Sequence, residues 1–308
     1  MAMRVLFAGS PEVALPSLQA LLSSDVDVVG VLSQPAKPVG RAKTLTDTAV
    51  SAFAKARGLP VANPQDSRGI LRAVAEWSPD VAIVVAYGRL LPLPVRESVP
   101  GGWWNVHFSL LPQWRGAAPV PHAILAGDDV TGVSLFKIDA GLDTGEVAFS
   151  REYALPPDAT ATEVLSTLAR RAVEPLMALV SGLESGSLET TPQRGEPSFA
   201  PKPERSFGLL DWAHPAGTLY QRFLAATVEP GAYALRRDNG QRVNIRALTL
   251  APHHRTLSPG QLEATEGEVM VGTTSHPMRL LTLQPAGKSA MAAIDWFRGL
   301  PSGVILGE

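Results

Sequence analysis

Three side chains between Trp103 and Val147 make up a small proton-handling set: Asn105, His107 and Asp143. An amide can donate to an oxyanion, an imidazole can carry a proton, and a carboxylate can set the imidazole's pKa and orientation. No nucleophile completes the set. Ser109 is the nearest hydroxyl, but no G-x-S-x-G surrounds it, so a covalent acyl-enzyme is not the first expectation. What remains is direct transfer between two bound substrates. Taken singly, each residue has a plainer reading: a histidine in an apolar strand as a hydrogen-bonded core residue, an aspartate in GLDTG as a turn former. The combination is what points to chemistry.

The elements that must position this set follow from the local pattern. WWNVHF has the composition of a short buried strand, whose two-residue period puts Asn105 and His107 on one face and Val106 and Phe108 on the other. SLLP ends that strand, Arg115-Gly116 turns the chain, and an Ala-rich segment opening on a proline predicts a helix ending near Gly127. TGVSLFKI predicts a second strand. It delivers Asp139, Gly141, Asp143 and Gly145 into a glycine-flexed loop placed to return to the first strand's end.

The frame around them reads as α/β. MRVLFAG predicts a buried parallel strand, GSP a turn into the amphipathic EVALPSLQALLSS, and VDVVGVLS the next strand. This βαβ unit lacks G-x-G-x-x-G, so a dinucleotide is poorly supported. QPAKPVGRAKTLTDTAV is expected to be irregular, because Pro35, Pro38 and Gly40 interrupt regular structure. A helix at DTAVSAFAKARG and a βα pair lead to the strand DVAIVVAYGRLLP, expected to run out at Tyr87-Gly88. Residues 156–187 predict one long helix with a break or kink near Glu174-Pro175.

The polar, Pro-rich segment 189–206 reads as a linker between domains at 1–188 and 207–308. LLDWAHPAGTLYQRFLAAT predicts an aromatic entry strand and a helix, and GAYALRRDNGQRVNIRALTLA two strands around an Asn239-Gly240 turn. With GEVMVGT, PMRLLTLQ and the helix AMAAIDWFRG, these predict a smaller, partly open β-barrel of OB-like form.

Composition sets outer bounds. The 308 residues, 45% hydrophobic and 18% charged, suit a globular protein with one substantial domain and a smaller one. The absence of cysteine excludes disulfides, thiolate-bound metal and cysteine nucleophiles. MAMRVLFAG enters a strand without a charged leader, and no run of about 20 apolar residues occurs, so the expected location is the cytoplasm. A net charge of -2 does not advertise nucleic-acid binding. The charge is uneven, however: from Arg205 onward ten Lys and Arg face eight Asp and Glu, against seventeen and twenty-one before it.

The string NVHFSLLPQWRGAAPV, followed by GDDVTGVSLFKIDAGLDTGE, closely resembles the formyltransferases that use 10-formyltetrahydrofolate. The likeness continues in order through FAGSPEVALPSLQAL, SQPAKPVGRAKTL, VVAYGRLLP and LLTLQPAGKSAMAAIDWFRG. N-x-H, SLLP and D-x-G are similar in all folate-dependent formyltransferases and hydrolases. QPAKPVGR, WRGAAP, GLDTG and QPAGK narrow the resemblance to the branch acting on initiator methionyl-tRNA.

This resemblance implies a Rossmann-like N-terminal formyltransferase domain with a mostly parallel sheet, and direct attack of the methionyl α-amino group on the formyl carbon. Asn105 would donate to the oxyanion, His107 would stabilise that charge or carry a proton, and Asp143 would orient His107 and, through water, accept the ammonium proton. The cosubstrate implied is 10-formyltetrahydrofolate, with no metal. Its pocket would have Tyr87, Gly88 and Leu90 on one wall and Ser109, Leu110, Leu111 and Pro112 on the other. Lys37, Arg41 and Lys43 would meet the acceptor end of the tRNA on a loop that closes over it, fixing position rather than reading sequence. Arg236 and Arg237, with Arg242 and Arg246, would face the tRNA body, with a charged exposed ribbon as the open alternative; Lys202 and Arg205 stand equally between nucleic acid and solvent. The implied form is a monomer without membrane contact.

Two departures from the family pattern stand out: Gly9-Ser10-Pro11 in place of Gly-Thr-Pro, and ATVEPGAYA (226–234) where an Asn-Pro-Trp-Pro stretch is common. The competing functions are an amino-sugar formyltransferase, a deformylating hydrolase, and a non-catalytic RNA-binding protein.

Overall fold

The computed structural model describes residues 2–39 and 43–307. Two compact units emerge: one holds the chain up to Val120 with Asp129–Leu155 and Val164–Pro201, the other Pro121–Asp128, Pro156–Glu163 and everything from Lys202 onward.

The first unit begins with β1 (Arg4–Gly9), α1 (Leu15–Leu22) and β2 (Asp27–Leu32). Val5, Leu6, Phe7 and Ala8 of β1 are fully buried, each large side chain removed from water being worth about 1.5–3 kcal/mol. A two-stranded ribbon follows, β3 (Lys37–Val39) against β4 (Thr44–Thr46). This corrects the expectation of irregular chain. In an isolated two-stranded ribbon both strands are edges, so Pro38 needs no partner for the N–H it lacks.

The first unit continues through α2 (Ala49–Lys55), β5 (Val61–Ala62), α3 (Ser67–Trp77), β6 (Val81–Val85), α4 (Leu93–Arg96) and β7 (Trp103–His107). Both longer helices start on side-chain caps, Thr48 accepting from Ser51 N and Asp66 from Gly69 N. Gly30 of β2 leaves room for the Trp77 ring, since a Cβ there would stand 2.2 Å from Trp77 Cε3. Next along the chain come α5 (Pro119–Ala126), most of which falls in the second unit, then β8 (Val130–Lys137), β9 (Val147–Ala154), α6 (Ala161–Arg171) and α7 (Val173–Ser185).

Seven strands form one sheet in the order β5-β2-β1-β6-β7-β8-β9, parallel through β7 and antiparallel thereafter. Strand order reverses beside β1, so the ligand-binding crevice of an open α/β sheet falls at the carboxyl ends of β1, β6 and β7. The long helix expected over 156–187 is two helices divided at Ala172. Pro175 lies in the first turn of α7, where its missing N–H costs nothing.

In the second unit α8 (Ala216–Ala225) precedes β10 (Tyr233–Leu235), β11 (Arg242–Leu250), β12 (Leu262–Thr265), β13 (Glu268–Val271), β14 (Met278–Pro285), β15 (Met291–Ala292) and α9 (Ala293–Arg298). The sheet is antiparallel, in the order β10-β11-β14-β13-β12. The tail closes it: Ile305 bridges Gln261 beside β12, and Leu306 bridges Arg236 beside β10. The expected entry strand at LLDW is reduced to a single parallel bridge from Leu209 to Tyr233. Leu210 and Trp212 are buried, but Asp211 Oδ1 accepts from Ala213 N and bends the backbone out of extended form.

Candidate active site

β7 ends at His107 and pairs antiparallel with β8, with Asn105 opposite Phe136 and His107 opposite Ser134. The two-residue period puts Asn105 and His107 on the same side of β7. The amide of half-buried Asn105 makes no hydrogen bond among the described residues. An amide with two donors and an open acceptor, on a rigid strand at the crevice, is equipped to bind a ligand oxygen.

His107 is 5% exposed, with the edge of Phe136 against its ring. Its Nε2 lies 2.9 Å from the Trp114 carbonyl. A carbonyl only accepts, so the proton of the neutral ring sits on Nε2 and Nδ1 carries a lone pair. Nδ1 faces Asp143 Oδ2 at 3.8 Å. Burial pushes the imidazole pKa below its usual range, while the Asp143 carboxylate and the bond to Trp114 pull it back up; the net direction is down. The ring is therefore neutral near pH 7, with a lone pair beside a carboxylate.

The expected orienting bond from Asp143 to His107 takes a different form. At 3.8 Å the pair is beyond hydrogen-bond reach. Asp143 Oδ2 instead accepts the Gly116 N–H at 2.8 Å, and the Trp114 carbonyl holds the ring. Asp139, the loop's other carboxylate, is a turn former: its Oδ1 accepts from Gly141 N and Thr144 Oγ1. Trp114 and Asp143 both adopt left-handed backbone, φ 59° and 51°. Such conformations cost about 1–3 kcal/mol each and persist where surroundings over-determine them.

Those surroundings include a segment that sequence reading placed in the linker. Residues 191–200 are bound to the site: Arg115 N donates to Ser198 O, Ala200 N to Arg115 O, Ala118 N to Ala200 O, and Trp114 N to Ser198 Oγ. Gln193 links the Asp143 loop to Arg115. The chain from Val164 to Pro201 groups with the first unit. Absence of apolar periodicity hid this segment, because backbone and polar side-chain bonds fix it instead. Ser134 was also missed. Fully buried, it donates to Ser109 O at 2.7 Å and accepts from Leu111 N at 3.0 Å, pinning the SLLP turn to β8.

The residues expected at a folate pocket stand as follows. Ser109 and Pro112 are buried and Leu110 and Leu111 half-buried; the Ser109 hydroxyl is engaged by Gln113 O. β6 ends at Val85, two residues sooner than expected, because Ala86 turns to φ 48°. The Tyr87 ring is 1% exposed, within the apolar core, and burial pushes its hydroxyl up to about 12. Only its backbone faces the crevice side, its carbonyl accepting from Ser10 Oγ and Gln34 Nε2. Gly88 is exposed at φ 76°, and Leu90, expected on the pocket wall, is 88% exposed.

Of the basic residues expected at tRNA, Lys37 and Lys43 are exposed at the ribbon, with no ion pair among the described residues. Arg41 lies outside the described residues. The Arg236 side chain is only 11% exposed and doubly bonded to Asp238. Arg237 is exposed, its backbone N–H donating to Ile305 O. Arg242 lies over the Tyr233 ring and donates to Asn244 and Pro230, and Arg246 donates to Gln284. The β10–β11 ribbon thus spends its arginines largely on its own structure. No helix among the described residues is long and apolar enough to cross a membrane.

Comparison with known proteins places this geometry in context. Residues 3–180 match the formyl transferase family model, and residues 203–301 that of the formyl transferase C-terminal domain. The methionyl-tRNA formyltransferase of Renibacterium salmoninarum is 44% identical over 311 residues, covering 99% of this chain and 100% of its own length. That of Pseudarthrobacter chlorophenolicus is 45% identical over 303 residues, covering 97% and 98%. Among solved structures, HypX from Aquifex aeolicus superposes with a TM-score of 0.73 at 18% identity; the match covers 98% of this chain and 49% of HypX, so the chain spans about half of that protein. The sugar 3N-formyl transferase WlaRD gives a TM-score of 0.64 at 16% identity, over 94% of this chain and 100% of its own.

Proposed function

The chain belongs to the formyl transferase family, in its methionyl-tRNA formyltransferase branch, and from that premise we propose how its residues carry out the reaction. The enzyme transfers the formyl group of 10-formyltetrahydrofolate to the α-amino group of initiator methionyl-tRNA. The observation that carries this function is the near full-length identity to methionyl-tRNA formyltransferases, both domains included.

In the proposed mechanism 10-formyltetrahydrofolate supplies the formyl carbon that the amine attacks. The amide of Asn105, without a hydrogen bond among the described residues, donates to the oxygen that gains charge, a contribution of about 3–4 kcal/mol for one donor of this kind. His107 accepts the amine's proton at Nδ1, because Nε2–H is committed to Trp114 O and burial keeps the ring neutral, and it returns that proton to N10 as the bond from the formyl carbon to N10 breaks and tetrahydrofolate leaves. Asp143 stabilises the imidazolium so formed across 3.8 Å. Gly116 holds that carboxylate in place. Alignment of the two substrates supplies much of the remaining acceleration.

Backbone turns around Gly88 and Leu110–Pro112 suit a flat pterin, since they offer peptide groups in place of charged side chains. The positive β3–β4 ribbon is the proposed contact for the tRNA acceptor end, through Lys37 and Lys43. Asn105, His107 and Asp143 all come from one unit of one chain, which supports a monomer, and the tRNA substrate supports action in the cytoplasm.

The test is formyl transfer from 10-formyltetrahydrofolate with four parallel reactions: charged initiator tRNA, charged elongator methionyl-tRNA, uncharged tRNA, and no acceptor. Transfer to charged initiator alone is expected. Formate release without acceptor, or transfer to a nucleotide-linked amino sugar in place of the tRNA, overturns the reading.

A further inference from the structure

Gln193 uses every hydrogen-bonding port of its amide within the active-site loops. Nε2 donates to Asp143 O at 2.8 Å and to Gly145 O at 2.9 Å; Oε1 accepts from Arg115 Nε at 3.2 Å and Nη2 at 2.7 Å. A primary amide has two donor hydrogens and two acceptor lone pairs, so all four are taken. The two loops it joins provide the two polar groups around His107: the Trp114 carbonyl at Nε2 and the Asp143 carboxylate near Nδ1. Each loop carries one of the left-handed non-glycine residues of the site, Trp114 and Asp143.

We infer that Gln193 is a positioning residue of the formyl transfer, a clamp that sets the distance between the Trp114 carbonyl and the Asp143 carboxylate and so the environment of His107. The inference rests on the assignment of His107 and Asp143 made above. No direct contact with substrate is involved. Gln193 acts through the Asp143 and Gly145 carbonyls on one side and, on the other, through Arg115, the residue directly after Trp114.

Few other side chains can take its place. Glutamate keeps both bonds from Arg115 but turns two donors into acceptors facing the Asp143 and Gly145 carbonyls, which expels the loop. Methionine keeps the length and offers neither donors nor acceptors. Since Asp143 is the charged group facing the His107 ring, and Trp114 O and Phe136 beside it are uncharged, release of that loop changes the ring's titration directly.

The experiment compares Gln193→Glu, Gln193→Met and Asp143→Asn with the natural enzyme. It measures kcat and KM for 10-formyltetrahydrofolate and for methionyl-tRNA, the titration of the His107 ring by NMR, and thermal unfolding. Both Gln193 variants are expected to lose about 10²-fold in kcat, as for a misplacement near 1 Å, with each KM within about twofold. In Gln193→Met, which adds no charge of its own, the His107 midpoint is expected to move to lower pH as in Asp143→Asn. A kcat within about twofold of the natural enzyme overturns the inference. So does a fall in kcat and unfolding temperature together with the His107 titration unmoved, which is the mark of a merely structural residue. If Asp143→Asn itself keeps full activity, the assignment of Asp143 fails; if it loses activity while the Gln193 variants do not, the clamp alone fails.

Discussion

Gly116 and His107 compete for the same carboxylate oxygen of Asp143, and Gly116 holds it: its N–H stands 2.8 Å from Oδ2, while His107 Nδ1 stands 3.8 Å away. The carboxylate thus acts on the imidazole through charge across a gap. Asp143→Asn removes that charge, so the His107 pKa is expected to fall further below its usual range. NMR titration of the ring in the two proteins checks this; an unchanged midpoint would show that the carboxylate does not act on the ring.

Asn105→Ala is expected to lose about 10²–10³-fold in kcat, the effect of removing one oxyanion donor. Because the Asn105 amide has no hydrogen-bond partner among the described residues, unfolding temperature should change little. Single-turnover formyl transfer beside a thermal melt separates the two.

Gly116→Ala meets two obstacles. At φ 126° an L side chain is strained, and its Cβ would lie 2.5 Å from the Ala200 carbonyl. The turn must shift, carrying the N–H that holds Asp143. The expected result is a loss of about 1–3 kcal/mol in stability and a larger proportional loss in kcat, read by urea unfolding and steady-state kinetics.

Acid should weaken the fold through His107. Its folded pKa lies below the unfolded value of 6.5, so the unfolded chain takes up a proton first as pH falls. The stability this contributes is fully present above pH 6.5 and is lost as pH falls toward the depressed folded pKa. Urea unfolding at stepped pH should show a shallower decline over that window in His107→Gln. Equal slopes would remove His107 from the acid response.

The two sets of basic residues should behave differently. Lys37→Ala and Lys43→Ala are expected to weaken methionyl-tRNA binding and each to reduce the salt slope by about one, with kcat at saturation preserved. Arg236→Ala should lower stability more than tRNA affinity, because its guanidinium is committed to Asp238. Binding isotherms at several salt concentrations, with melts, test both.

The sequence alone determined the strand that carries Asn105 and His107, the placing of both on one face, the mostly parallel sheet and the β-rich second unit. Each depends on local periodicity, a two-residue alternation or an apolar run, which reports burial without knowledge of the partner. Only the tertiary structure decided which group holds which. Trp114 O at His107 Nε2 and Gly116 N–H at Asp143 are backbone groups, identical in every residue, so no spacing of side chains announces them. The polar segment around Gln193 and Ser198 carries no periodic signal, because hydrogen bonds place it and apolar burial does not. The tail pairing of Ile305 and Leu306 with both edges of the second sheet is a contact across long sequence separation, likewise unmarked by any local pattern. Local physics fixed the elements, and the long-range hydrogen bonds assembled from them built the site.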